Sequence, residues 1–305
     1  MVFKNLARRF GVGGPSVDTV LSRPDTQPGR TLSGQVNITG GDHDVEIEHV
    51  VVGLAVRAET EVGDHESAAA VEFTRMEVAG NFQLAPGEER VIPFEMATPW
   101  ETPITHVYGQ NLRGMAVGMR TELAVAKAID KGDLDPVNVH PLASQETVLE
   151  AFEQLGFRFK SADVELGRIA GLRQELPFYQ EIEYFPPREF AGRIGAVELT
   201  FVADAHGMAV VLEADRRGGA FGGGGDSFGR FHVSHDEAEE YDWAAVVKAW
   251  LAKVAERSSG HHGHGGGRGM GAGGMIAGAA GGAVGGMILG GMLGDAGEGL
   301  FGGGE

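Results

Sequence analysis

Val17-Asp18-Thr19-Val20-Leu21, then Pro28-Gly29, Gly34-Gln35-Val36 and Gly40-Gly41, lead into a long apolar-alternating stretch over residues 45–58. A short run rich in β-branched residues, a Pro-Gly turn, a second run closed by two glycines and a third run following at once predict an antiparallel meander. Within the long stretch Val45 and Ile47 occupy one phase, whereas Val52, Leu54, Val56 and Ala58 occupy the other. Successive side chains of a strand point to opposite faces, so the slip near His49 predicts a β-bulge or bend that restores a single buried face.

Outward from this meander, strands are predicted over 71–79, at Phe82-Gln83-Leu84 before the Pro86-Gly87 turn, over 90–96 and over 115–125. With the opening strands they make a β-sandwich over residues 16–127, preceded by a segment at 1–15 that is compatible with a helix. Residues 128–136 hold several Asp residues and little to bury, and read as a connector or hinge. A second domain, 137–257, opens on a short strand with Val137 and Val139. Ser144 then stands where it would cap a helix with Val148, Leu149, Phe152 and Leu155 on one face.

Strands return over 157–166 and 178–185. Val197, Leu199 and Phe201 alternate before Asp204-Ala205-His206-Gly207, and Met208, Val210 and Leu212 alternate after it, which predicts a hairpin. A Gly-dominated loop at 218–225 and a strand at 230–233 precede a closing helix. Its stripe is Trp243, Val246, Val247, Trp250, Leu251 and Val254, with Ser234 and Glu237 or Asp242 as alternative start signals. The tryptophans are read as packing against a sheet rather than holding a ligand.

The ordered landmarks of the opening meander resemble the bacterial sporulation-control proteins, a family with an arrestin-like fold. The resemblance extends to Leu176-Pro177-Phe178-Tyr179-Gln180-Glu181-Ile182-Glu183-Tyr184-Phe185-Pro186-Pro187, and to Ala128-Ile129-Asp130 and Asp133-Leu134-Asp135-Pro136, and so covers about residues 1–255. It implies an all-β chain of two arrestin-like antiparallel β-sandwich domains, with one or two short helices in the second and a Gly-rich C-terminal tail. It also implies a non-enzymatic scaffold or adaptor that meets bacterial regulatory or cell-division proteins through its sheet edges and faces in sporulation, development or cell division. No active-site pattern, cofactor or metal transfers with the resemblance.

Composition narrows the classes. A chain of 305 residues exceeds what one core usually serves. A formal charge of −18 argues against a nucleic-acid binder, because neutralising phosphates takes clustered Lys and Arg. With no Cys there is no disulfide or thiolate chemistry, which suits a reducing cytosol, and the N-terminal residues give no expectation of a signal peptide. Among enzyme signatures, the glycines at 218–225 lack the strand-to-helix setting of a dinucleotide loop. GxxxxGK[ST], G-x-S-x-G and H-E-x-x-H do not occur.

The tail, 258–305, differs from everything before it. His261, His262 and His264 sit among glycines, and neutral imidazoles suit Zn²⁺, Ni²⁺ or Cu²⁺, although such spacing defines no geometry. Residues 271–294, 24 in all, carry no charge. Gly274, Gly278, Gly282, Gly286, Gly290 and Gly294 recur at every fourth position, which in a helix makes one flat face for helix–helix or membrane contact. Glycine costs a helix about 1 kcal/mol per position relative to Ala, so the same segment also reads as a disordered tail. His232, His235 and Asp236 form a further group, but alternation along a strand sends the two histidines to opposite faces.

Overall fold

The computed structural model describes residues 8–9, 13–62, 65–126, 131–216 and 227–259. In the first half these form β1 (Arg8–Arg9), β2 (Ser16–Leu21), β3 (Asp25–Thr26), β4 (Thr31–Thr39), β5 (Val45–Val62), β6 (His65–Glu72), β7 (Met76–Leu84) and β8 (Glu89–Ala97). The short strands β9 (His106–Val107) and β10 (Gln110–Asn111) precede β11 (Val117–Val125) and β12 (Lys131–Val139). The second half contains α1 (Ala143–Leu155), β13 (Arg158–Leu166), β14 (Phe178–Phe185), β15 (Ile194–Ala203), β16 (Gly207–Arg216), β17 (Ser227–Ser234), α2 (His235–Glu240) and α3 (Trp243–Ser259). The architecture is the mostly β, antiparallel one that the sequence predicts, with short helices in the second half.

In the first half the sheet β1-β2-β4-β8 faces β5, β7, β11 and β12. Val17, Leu32, Val36, Ile38 and Phe94 from one layer meet Ile47, Val50, Val52, Leu54, Met119 and Leu123 from the other. Each such side chain is worth about 1.5–3 kcal/mol when taken out of water. The polar contact in this layer is self-satisfied: the buried Thr19 and Thr121 hydroxyls lie 2.6 Å apart.

The slip expected near His49 is present as a register shift, since Ala124 pairs with His49 but Val125 pairs with Ile47. Glu48 is the extra residue, and both Ile47 and Val50 therefore reach the core. The strand expected over 71–79 is instead two. Phe73 donates its N–H to Leu54 O, and Leu54 N–H finds the Thr74 hydroxyl at 2.8 Å, so a side chain replaces a ladder acceptor and the strand breaks. Residues 131–139, whose Asp-rich composition reads as connector and then short strand, form β12, paired with β11 from Val117↔Val137 to Leu123↔Lys131. Backbone pairing does not need apolar side chains, which is why composition does not reveal it.

In the second half β13 to β17 form a consecutive antiparallel run. Its inner face, with Ile182, Val197, Leu199, Val210 and Leu212, is closed by α1 and α3 through Val148, Phe152, Trp243, Val247, Leu251 and Val254. The 204–207 hairpin is as expected, with Asp204 Oδ1 accepting from the His206 and Gly207 amides at 2.7 and 3.1 Å. Both anticipated helix starts are used, one for each of two successive helices: Ser234 and Glu237 cap α2 reciprocally, and Asp242 accepts from Ala245 N–H at the start of α3. Ser144 is not a cap. It lies inside α1, whose first turn is closed by Gln145 accepting from Leu142 N–H, and its hydroxyl is turned to His235.

Candidate functional site at the seam between the halves

The two cores exchange segments. β14 carries Phe178 into the first core and Ile182 into the second, and β13 does the same with Val164 and Ala162. In return, the segment between β8 and β11 sends Leu112 into the second core. Among the described residues main-chain ladder bonding between the halves is slight, a single parallel pair, Glu165↔Glu59. Side chains that grip backbone add to the exchanged apolar contacts.

Gln180, buried on the inner phase of β14 between Phe178 and Ile182, holds both main-chain groups of Ile104. Its Oε1 accepts from Ile104 N–H at 2.9 Å and its Nε2 donates to Ile104 O at 2.8 Å. Glu101 does the complementary task from the first half, its two oxygens accepting from the Glu175 and Leu176 amides at 2.7 Å each. Burial pushes the Glu101 carboxyl above its ordinary range, and the two amides pull the other way. Gln174, also buried, braces the loop that Glu101 grips, with Nε2 against the Gly167, Leu176 and Phe178 carbonyls and Oε1 accepting from Ile169 N–H.

Beside the seam, β12 ties down the segment that Gln180 grips, and α2 reaches the first half through His235. Thr105 N–H donates to Val139 O, and Val139 N–H donates to the Thr105 hydroxyl. His235 faces three neighbours: Nε2 donates to Asp204 O at 2.9 Å, Nδ1 lies 2.8 Å from the Ser144 hydroxyl, and the ring stacks on Trp100 at 5.7 Å. Donation to a carbonyl fixes the proton on Nε2, so in the neutral ring Nδ1 accepts from Ser144. Gly114 has φ +101, and a Cβ there would strike Ala162 O at 2.1 Å, so glycine is required where the linking segment passes over β13.

A second charged feature lies on the outer face of β13 to β16. Asp163, Glu165 and Glu181 bring carboxylate oxygens within 4.8 Å of one another. Burial, followed by repulsion from Glu198, Asp163, Glu165 and Glu213, pushes Glu181 up to about 8. Three hard oxygen donors are the kind that hold Mg²⁺ or Ca²⁺, and this is the group with metal-ligating spacing among the described residues.

A model of the SpoOM protein family matches residues 3–218. The chain belongs to the Spo0M family. It is 32% identical over 263 residues to the sporulation-control protein Spo0M of Bacillus subtilis (strain 168), an alignment covering 83% of this chain and 99% of that protein. The crystal structure of Spo0M from Bacillus subtilis matches with a TM-score of 0.67 at 30% identity, over 80% of this chain and all of that one.

In this Spo0M-family chain the sites expected from sequence fall in two groups. His261, His262, His264 and the glycines from Gly274 to Gly294 lie outside the described residues. Among the described residues no helix is long and apolar enough to cross a membrane. His232 and His235 are kept apart, His232 on β17 and His235 opening α2 with its ring turned into the seam. The seam residues Glu101, Gln174 and Gln180 were not singled out from sequence. The available signal was an amide on the buried phase of an otherwise apolar strand, Phe178-Gln180-Ile182.

Proposed function

We propose that the chain is a non-catalytic adaptor in sporulation control, acting on other bacterial proteins through its folded halves, in the cytoplasm. The regulatory role in sporulation is supported by family membership and by the Bacillus subtilis relative, a sporulation-control protein. The observation that supports the adaptor mechanism is the seam itself. Polar side chains from each half, Glu101 and Gln180, hold the other half's backbone beside the apolar segments that the two cores exchange, so the relative placement of the halves depends in part on a few side-chain hydrogen bonds. Each is worth about 0.5–3 kcal/mol, a scale that a binding partner's contact energy can match. Partner engagement would then read or reset the angle between the halves.

Cross-linking of tagged full chain and of residues 1–258 in native cells, followed by mass spectrometry, tests this. The adaptor reading predicts a reproducible set of protein partners shared by both forms. Recovery of partners only with the full chain would transfer the function to the tail and defeat the reading, as would recovery of none with either.

A further inference from the structure

At one end of the first sandwich the chain leaves β2, crosses to β3 on the edge of the other sheet, and returns through Pro28-Gly29 into β4. This corner borders an open groove of about 520 Å³, with Ser22, Arg23, Asp25, Arg30, Ser33 and His140 in its wall. Its frame is fixed by main-chain bonds on every side. Ser22 N–H donates to Ser33 O at 2.9 Å, Asn138 N–H to Pro24 O at 2.8 Å, His140 N–H to Thr26 O at 2.9 Å and Thr98 N–H to Arg30 O at 2.8 Å. Gly29, at φ +74, lies so close to Trp100 that a Cβ would sit 2.6 Å from the ring, which locks the turn carrying Arg30.

The charges in the groove are unequally committed. Asp25 Oδ1 accepts from Asn138 Nδ2 at 3.1 Å and from His140 Nε2 at 2.9 Å, and the His140 bond holds its carboxyl below the ordinary range. Arg23 and Arg30 meet no carboxylate at ion-pair distance among the described residues, in a chain with a formal charge of −18. Two guanidinium groups therefore line one groove with donors not engaged by any described residue, and guanidinium forks match the oxygens of a phosphate. The volume is larger than a lone oxyanion requires and falls in the range of small-molecule sites. The hydroxyl-lined wall suits a polar rather than an apolar body.

We infer that this groove binds a small phosphate ester, with Arg23 and Arg30 on the phosphate and the Ser22 and Ser33 hydroxyls toward the organic part. Ribose 5-phosphate, ribose and inorganic phosphate are the probes, titrated calorimetrically into the full chain at low salt. Saturable binding of ribose 5-phosphate is expected, with none for ribose, and weakening as salt rises. Arg23→Gln and Arg30→Gln should each weaken binding about tenfold or more, since a charge-assisted bond is lost. Both side chains are exposed and make no hydrogen bond among the described residues, so circular dichroism should be unchanged. Asp25→Asn should tighten binding several-fold by removing a like charge. No saturable binding to the intact chain, or a double arginine variant that binds as the intact chain does, overturns the inference. Equal affinity for inorganic phosphate and ribose 5-phosphate overturns the assignment of an ester.

Discussion

The first half closes its core with sheet on sheet, and the second closes its core with helices on a sheet, yet the larger contrast is on their outer faces. Over β5 and β11, Glu122 accepts from Arg75 at 2.8 and 2.9 Å and lies 3.0 Å from His49 Nε2, while Arg120 and Arg75 share Glu72. Arg75 holds the Glu122 carboxyl down at about 2. Over β13 to β16, carboxylates face carboxylates, and Glu181 rises to about 8. The same side chain is driven in opposite directions, up at Glu181 by burial and then by neighbouring carboxylates, down at Glu122 by Arg75, so the two halves should answer pH with opposite signs.

Core truncations give the largest separation between the halves. Trp243 is 2% exposed, and its Nε1 donates to Ala238 O at 2.9 Å. Trp243→Ala should cost about 3–5 kcal/mol in urea unfolding, because it leaves a cavity and removes one of the two donors to Ala238 O, the Thr147 hydroxyl being the other. Leu123, with no exposed surface in the sandwich, should cost about 2–5 kcal/mol as Leu123→Ala. If the closures differ as described, Trp243→Ala should loosen amides of β15 and β16 before those of β4, and Leu123→Ala the reverse, as read by hydrogen exchange.

The pH contrast is smaller and has definite windows. Glu181 holds a proton in the folded state that the unfolded chain releases near 4.5, so its contribution is full below that pH and is lost as pH rises to about 8. Glu181→Gln should flatten the decline in unfolding free energy over that window. Glu122 behaves oppositely: its contribution is present above about 4.5 and is lost as pH falls toward 2, and Arg75→Gln should move that loss to higher pH. An unchanged slope in either variant would break the comparison. The smallest effect belongs to the α2 cap, where Ser234→Ala should cost about 1 kcal/mol, measured as a shift in denaturation midpoint.

What the sequence shows and what it hides follow from the range of the interactions. The slip near His49, the Asp204 hairpin and the Trp243 to Val254 stripe are encoded within one element, and periodicity exposes them. Ser144 reads as the cap from sequence, whereas the helix starts at Ala143 because Gln145 caps through its side chain from inside the helix. Of the seam, Glu101 and Gln180 stand 74 and 76 residues from their backbone partners, so no local pattern records the pairing. The carboxylate cluster likewise depends on register, since Asp163 opposes Glu181 only once β13 and β14 pair.

The adaptor account stands on the seam, and amide hydrogen exchange at Ile104, Glu175 and Leu176 tests it most directly, comparing the intact chain with Glu101→Ala, Gln180→Ala and their combination. The account predicts strong protection of all three amides in the intact chain. It also predicts selective loss at Glu175 and Leu176 in the first variant, at Ile104 in the second and at all three in the combination, while core amides such as Val36 and Val210 stay protected. Unchanged exchange at the three positions, or an equal loss throughout both cores, would contradict a side-chain seam that can release without unfolding either half.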